Sequence, residues 1–94
     1  MEKINIKYSV DTLTDICFEK IVSVCRKGKF IFVICDGKDC RNKVIKEIKK
    51  HLSSYRGLFT HKGIVAVVSK KTDLDVEKYF DNEITLERES NGRN

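Results

Sequence analysis

The spacing of apolar residues changes along this 94-residue chain, and each spacing indicates a different structural element. From Lys3 to Tyr8 apolar and polar residues alternate, which is the period of a half-exposed strand. Between Leu13 and Cys25 the apolar residues recur at steps of three, four and one, which predicts an amphipathic helix. The run from Phe30 to Cys35 is entirely apolar, as expected for a strand buried on both faces.

The first predicted helix has both terminal signals. Asp11 or Thr12 can cap its N-terminus, and Gly28 offers a C-terminal stop. We expect its buried stripe to consist of the apolar residues at helical spacing: Leu13, Ile16, Cys17, Ile21, Val24 and Cys25.

A second helix is predicted after the buried strand. Asp36-Gly37 has the chemistry of a turn, and Asp39 is a candidate N-cap. The helix should bury the apolar residues that follow at helical spacing: Cys40, Val44, Ile48 and Leu52.

The remaining residues predict two more strands. Ser53 to Lys62 is a polar connection, and Ile64 to Val68 is an apolar run that indicates an interior strand. Thr72 to Phe80 is typical of a short helix capped by Thr72, and Ile84 to Arg88 alternate as a final strand. Residues 91–94 are expected to fray.

The predicted order is therefore β-α-β-α-β-(short α)-β, in a single domain over residues 1–94. This is an α/β chain of the two-layer α+β kind, with a four-stranded mixed sheet and two main helices. Helical crossovers should be right-handed and place parallel strands side by side.

Composition limits the class of protein. No apolar run approaches the roughly 20 residues that a membrane helix needs, and residues 1–5 lack the apolar region of a secretion signal. We therefore expect a cytoplasmic protein without a membrane partner. Its four cysteines should then be free thiols, and Cys17 and Cys25 on the apolar stripe of the first helix should be small core residues.

The formal charge of +5 is distributed unevenly. Residues 38–62 carry eight basic and two acidic side chains, whereas residues 72–94 carry seven acidic and three basic ones. Concentrated positive charge on a rigid helix is a common way for a protein to meet phosphate, although lysines on a helix can also be merely its solvated face. The predicted nucleic-acid contacts are Lys38, Arg41, Lys43, Lys46, Lys49, Lys50 and Arg56.

The segment around the second helix resembles a known family. A strand that ends in Gly37, the basic Lys38 directly after it and the helical spacing of Cys40, Val44 and Ile48 are similar to the Alba family of small basic archaeal chromatin proteins. That resemblance implies binding to DNA or RNA without catalysis. Few aromatic residues lie near the basic helix, which favours backbone contacts over base stacking.

A second resemblance implies an enzyme. The run Val33 to Asp39, followed later by Asp73-Leu74-Asp75, is similar to the acidic elements of Toprim domains, which act on phosphodiesters with magnesium. Asp36, Asp73 and Asp75 would then converge as hard oxygen ligands at the strand ends. Both acidic elements also fit an ordinary turn and a helix N-terminus, so we predict no metal site and no catalytic residue.

The spacing of Cys35 and Cys40 is similar to the first cysteine pair of thioredoxin-like iron-sulfur ferredoxins, but a cluster needs a second pair that is missing downstream. No cofactor is predicted. We expect a homodimer, because strands that are apolar on both sides leave surface for a partner to cover in so short a chain. A protein-interaction subunit that uses the acidic C-terminal part is a further alternative.

Overall fold

The computed structural model describes residues 1–52, 63–70 and 78–89. Four strands are present in this part of the chain: β1 (Glu2–Tyr8), β2 (Phe30–Ile34), β3 (Ile64–Val68) and β4 (Asn82–Arg88). Helix α1 spans residues 13–26, and helix α2 spans Lys38–Leu52. Two main helices and a four-stranded sheet confirm the predicted α/β class.

The sheet has the strand order β1-β4-β2-β3, and all three strand pairings are parallel. The prediction of a mixed sheet is therefore wrong. The prediction that crossovers place consecutive strands side by side holds for β2 and β3 and fails for β1 and β2, because β4 lies between them. Consequently the most C-terminal of the four strands is central, and β1 and β3 form the edges.

Aspartates fix both ends of β4 to its neighbours. At the amino end, Asp81 donates its N–H to Phe30 O and accepts the Phe30 N–H on its carboxylate, each at 2.8 Å. At the carboxyl end, Asp36 accepts the Arg88 N–H on Oδ2 at 2.6 Å. These bonds satisfy backbone groups where the ladder ends.

Helix α1 contains a π-helical segment, Cys17–Val22, between the α-helical segments Leu13–Ile16 and Ser23–Arg26. The predicted stripe is confirmed, since its residues are buried in the core or pack against it. Thr12 begins the helix as predicted, but its side chain bonds to Ser9 instead of a helical N–H. Gly28 ends the segment with φ of 90°, a conformation that favours glycine.

Helix α2 begins at Lys38, two residues earlier than the predicted cap implies. The N–H of Arg41 donates to Gly37 O at 3.1 Å, and Asp39 lies inside the first turn. Asp39 is therefore not the N-cap, although an acid in the first turn still suits the helix macrodipole. Cys40 and Val44 are buried, and Ile48 packs against the core.

Both helices pack against each other and cover one face of the sheet. The core between helices and sheet is formed by apolar side chains from five elements and the segment after β2: Tyr8, Leu13, Cys17, Ile21, Cys25, Ile31, Val33, Cys35, Cys40, Val44, Ile84 and Leu86. On the opposite face, the rings of Phe32 and Phe80 lie 5.3 Å apart.

The prediction that Ile64 to Val68 form an interior strand is wrong, because β3 is an edge strand and residues 65–68 are only partly buried. Just before β3 the backbone approaches α1 closely. A Cβ at Gly63 would overlap Lys29 O and would lie 2.6 Å from Cys25 O. Only glycine fits this position without a shift of the backbone.

Several predictions fall outside the described residues: the polar connection with Arg56, the short helix except for residues 78–80, Asp73 and Asp75, and the expected fraying of residues 91–94. Within the described ranges, no helix is both long and apolar enough to cross a membrane.

Candidate functional site

Helix α2 presents four lysines to solvent, which we call the basic face: Lys43, Lys46, Lys49 and Lys50. At 3.6 residues per turn, they span an arc of about 120° around the helix axis. This arc lies opposite the side that buries Cys40 and Val44. The basic face is therefore the outward-facing side of a helix whose inner side anchors it to the sheet.

The lysines of the basic face differ in their partners. The exposed Lys50 Nζ lies 3.4 Å from Oε2 of Glu47, a half-buried residue. Glu47 also lies 3.9 Å from His51 Nε2. In the part of the chain that the structure describes, Lys43, Lys46 and Lys49 make no ion pair. Three charges of the basic face are thus available to a ligand.

The other predicted contacts lie elsewhere on α2. Arg41 is half-buried, and its Nε donates to Val67 O at 3.2 Å. In a parallel strand the carbonyls alternate in direction, and Val68 O already points to β2, where it accepts the Cys35 N–H. Arg41 therefore covers a carbonyl on the free edge of β3, which is a common protection of an edge strand. Lys38 is exposed at the start of the helix, and Arg56 lies outside the described residues.

A second candidate site lies where the carboxyl ends of three parallel strands meet the N-terminus of α2. We call it the strand-end pocket, and it has a volume of about 360 Å³. In open α/β sheets this edge is the usual place for ligands. The residues that line the pocket are Tyr8, Asp36, Gly37, Lys38, Asp39, Cys40 and Arg88.

Asp36 organises the strand-end pocket. One carboxylate oxygen accepts the Tyr8 hydroxyl at 2.8 Å, and the other accepts the Arg88 N–H at 2.6 Å. The residue predicted as a simple turn thus connects the ends of β1, β2 and β4. The hydrogen bond between hydroxyl and carboxylate also fixes the position of Tyr8, which is buried at the edge of the core.

Cys40 lies in the first turn of α2 and lines the strand-end pocket. The hydrogen bond from the Cys35 thiol is the largest influence on the pKa of Cys40, and the overall effect lowers that pKa to about 7. Burial opposes the shift, whereas the Tyr8 hydroxyl and the backbone N–H of Asp36 lower the pKa further. The negative charge of Asp36 is a smaller opposing influence.

The neighbours of Cys40 are shifted in the opposite direction. The pKa of Cys35 is raised, first by its hydrogen bond to Cys40 and then by burial. The pKa of Tyr8 is raised chiefly by burial and also by its bonds to Cys40 and Asp36. Of this group, Cys40 is the one whose anion the surroundings stabilise.

The two cysteines of α1 behave as predicted for core residues. Cys17 and Cys25 are free and buried. Burial raises the pKa of Cys25, and burial together with the charges of Glu47 and Cys40 raises the pKa of Cys17 to about 12. Such thiols are inert, because the reactive form of cysteine is the thiolate.

Among the described residues, no group of three or more His, Cys, Asp or Glu side chains is arranged to hold a metal ion. Both oxygens of Asp36 bind protein donors, and the other two aspartates of the magnesium hypothesis, Asp73 and Asp75, are outside the described ranges. The geometry here gives the magnesium hypothesis no support.

The sequence interpretation missed Tyr8 and Arg88 as site residues. They are 80 positions apart but are partners in the parallel register of β1 and β4. Each ends a predicted strand, so a wholly parallel sheet would have placed both at the ligand-binding edge. The predicted strand ends thus include both residues, but the sequence does not reveal that β1 and β4 are neighbours.

Comparison of the chain with protein-family models, curated proteins and solved structures gives no match. The Alba and Toprim resemblances therefore stay predictions, and function has to be argued from the two sites themselves.

Proposed function

We propose that this protein binds nucleic acid through the basic face of α2, mainly by contacts to phosphates. The single observation that carries the proposal is the exposure of Lys43, Lys46 and Lys49 on one rigid helix, without ion pairs in the described part of the chain. Unpaired lysines lose no existing contact when they bind a phosphate, and the released counterions favour association.

The dimensions of the basic face suit a phosphate backbone. At 1.5 Å per residue, Lys43 and Lys50 lie about 10 Å apart along the helix axis. Phosphates on one strand of duplex DNA advance about 3.4 Å along the axis, so the face spans about three of them. Contacts of this kind position a protein on DNA or RNA without reading sequence.

The decisive experiment is an electrophoretic mobility titration with duplex DNA, single-stranded DNA and RNA at several salt concentrations. For the wild type we expect binding that weakens with salt, with a log–log slope near −0.9 per phosphate contact on duplex DNA. The double variant Lys43→Ala/Lys46→Ala should weaken binding to all sequences about equally and reduce the slope by roughly two.

The matched control removes the same charge from α1 and from the residue that follows it. Lys20 and Lys27 are exposed, and Lys20→Ala/Lys27→Ala should leave the slope close to that of the wild type. Equal effects of the two double variants would mean that net charge alone drives association. Absence of wild-type binding at about 50 mM salt, where non-specific contacts are strongest, would end the proposal.

The same titration with magnesium tests the phosphoryl-transfer alternative. Cleavage that requires magnesium and is lost in Asp36→Asn would replace a binding role by an enzymatic one. Light scattering on the same preparation tests the proposed homodimer.

A further inference from the structure

The proposed binding of nucleic acid by the basic face does not involve the cysteines at the strand-end pocket. Cys35 follows β2, and Cys40 lies in the first turn of α2, so the turn between strand and helix brings two thiols together. Each thiol influences the pKa of the other, and Cys40 lines the pocket. Cys17 and Cys25, by contrast, do not line the pocket.

We propose that Cys35 and Cys40 form a thiol–disulfide exchange site, in which Cys40 is the attacking thiolate and Cys35 is the resolving thiol. The co-reactant is a low-molecular-weight disulfide that enters the strand-end pocket. The inference is independent of nucleic-acid binding, because it concerns other residues and a different ligand.

The asymmetry between the two thiols carries the assignment of roles. Cys40 lines the strand-end pocket and Cys35 does not. The Cys35 thiol and the backbone N–H of Asp36 favour the anion of Cys40. Cys40 also lies in the first turn of a 15-residue helix, where the macrodipole favours an anion. Cys35 is buried and does not line the pocket, and its raised pKa keeps it a thiol until Cys40 has reacted.

The pocket suits a small ligand. Its volume of about 360 Å³ falls within the range of small-molecule sites, and its rim carries Lys38 and Arg88 as cations. Cationic residues at the rim are suited to the carboxylates of a peptide disulfide such as glutathione disulfide. Asp39 is the opposing charge at the rim, since both oxygens of Asp36 already bind protein donors.

The reaction proceeds in two exchanges. The Cys40 thiolate attacks one sulfur of the small disulfide, so that a Cys40–ligand disulfide forms and the other half leaves as a thiolate. That thiolate takes up a proton. The Cys35 thiol then loses its proton and attacks Cys40 Sγ, which forms the Cys35–Cys40 disulfide and releases the second half as a thiol. Two protein thiols are oxidised, and one small disulfide is reduced to two thiols.

The ionisable groups that face Cys40 come from every element packed around it. Tyr8 belongs to β1, Cys35 and Asp36 follow β2, and Cys17 lies on α1. Lys38, Asp39 and Arg88 line the pocket with Cys40 as further charged groups, and both oxygens of Asp36 bind protein donors. The alkylation of Cys40 should therefore follow its own ionisation near pH 7, and that of Cys17 and Cys25 should stay slow throughout.

The test incubates the reduced, full-length protein with glutathione disulfide at pH 7, followed by acid quenching and peptide mapping by mass spectrometry. We expect the Cys35–Cys40 disulfide in the wild type. Cys35→Ser should stop at a mixed disulfide on Cys40, and Cys40→Ser should form neither product. Cys25→Ser is the matched control and should react like the wild type.

A second measurement keeps the proposal testable if a cysteine variant does not fold. Native wild-type protein is alkylated with iodoacetamide across a range of pH, and the modified peptides are quantified. Selective modification of Cys40 with a midpoint near pH 7 supports the proposal. Uniform labelling of all four cysteines, a midpoint near pH 9, or no oxidation by glutathione disulfide would overturn it.

Discussion

The strand-end pocket and the basic face lie on the same helix but depend on the rest of the molecule in different ways. The pocket is assembled from β1, β4, the segment after β2 and the first turn of α2, and its groups are tied by hydrogen bonds across 28 and 52 positions of the chain. The basic face comes from one helix, and three of its four lysines have no ion pair in the described ranges.

This difference predicts which substitutions should change the free energy of unfolding. A residue whose polar atoms bind other elements contributes to stability and to chemistry together, because its removal leaves its partners unsatisfied. A solvent-exposed lysine contributes to binding alone. Changes in the pocket should therefore alter the free energy of unfolding, and changes on the basic face should not.

The largest loss of stability is expected at Gly63, which lies outside both regions. The smaller losses expected in the pocket and on the basic face can be compared with it. Gly63→Ala places a Cβ against Lys29 O and Cys25 O, both of which are backbone atoms that cannot rotate away. We expect the free energy of unfolding to fall by about 3 kcal/mol, at the upper end of overpacking effects. Urea denaturation measures this loss. A loss below about 0.5 kcal/mol would show that the connection before β3 moves away freely.

An intermediate effect is expected in the pocket. Asp36→Ala removes the acceptors of the Tyr8 hydroxyl and the Arg88 N–H and should cost about 2 kcal/mol, reduced by the solvent exposure of Asp36. Asp39→Ala is the matched control, three residues along and exposed, and should cost no more than about 0.5 kcal/mol beside the macrodipole. Equal losses in the two variants would mean that Asp36 does not organise the pocket.

The smallest effect is expected on the basic face. The triple variant Lys43→Gln/Lys46→Gln/Lys49→Gln retains side-chain length and helix propensity and removes charges that repel each other at a spacing of three. The free energy of unfolding should change by less than about 0.5 kcal/mol, while affinity for nucleic acid falls. A large loss of stability in thermal melts would show that these lysines belong to the structure and would contradict the contrast between the two regions.

Periodicity was sufficient to locate the elements of the fold. The apolar stripe of α1, the uninterrupted run of β2 and the alternation of β4 each follow from local burial, so their boundaries agree with the structure to within a few residues. Periodicity also identified the basic face, since residues opposite a buried stripe must face solvent. Nucleic acid as the ligand stays a prediction, because positive charge alone does not identify what binds.

Strand order could not be read from the sequence. Apolar runs and alternation identify a strand but do not say which neighbours it has. The sequence therefore predicts an interior β3 and gives no sign that β4 lies at the centre of the sheet. The same limit explains Ile4, which lies on the apolar side of β1 and is nevertheless 37% exposed, because an edge strand is only partly covered by the helices. The contact of Tyr8 with Asp36 could not be predicted for this reason as well.

The central position of β4 determines when the sheet can form. During synthesis the ribosome delivers β1, β2 and β3 first, and of these only β2 and β3 are neighbours. Residues 2–8 must wait for residues 82–88, and closing so long a loop carries an entropic cost before any pairing compensates for it. A nascent chain that ends before Asn82 lacks two of the three strand pairings, so folding is completed only after the last of the four strands leaves the ribosome.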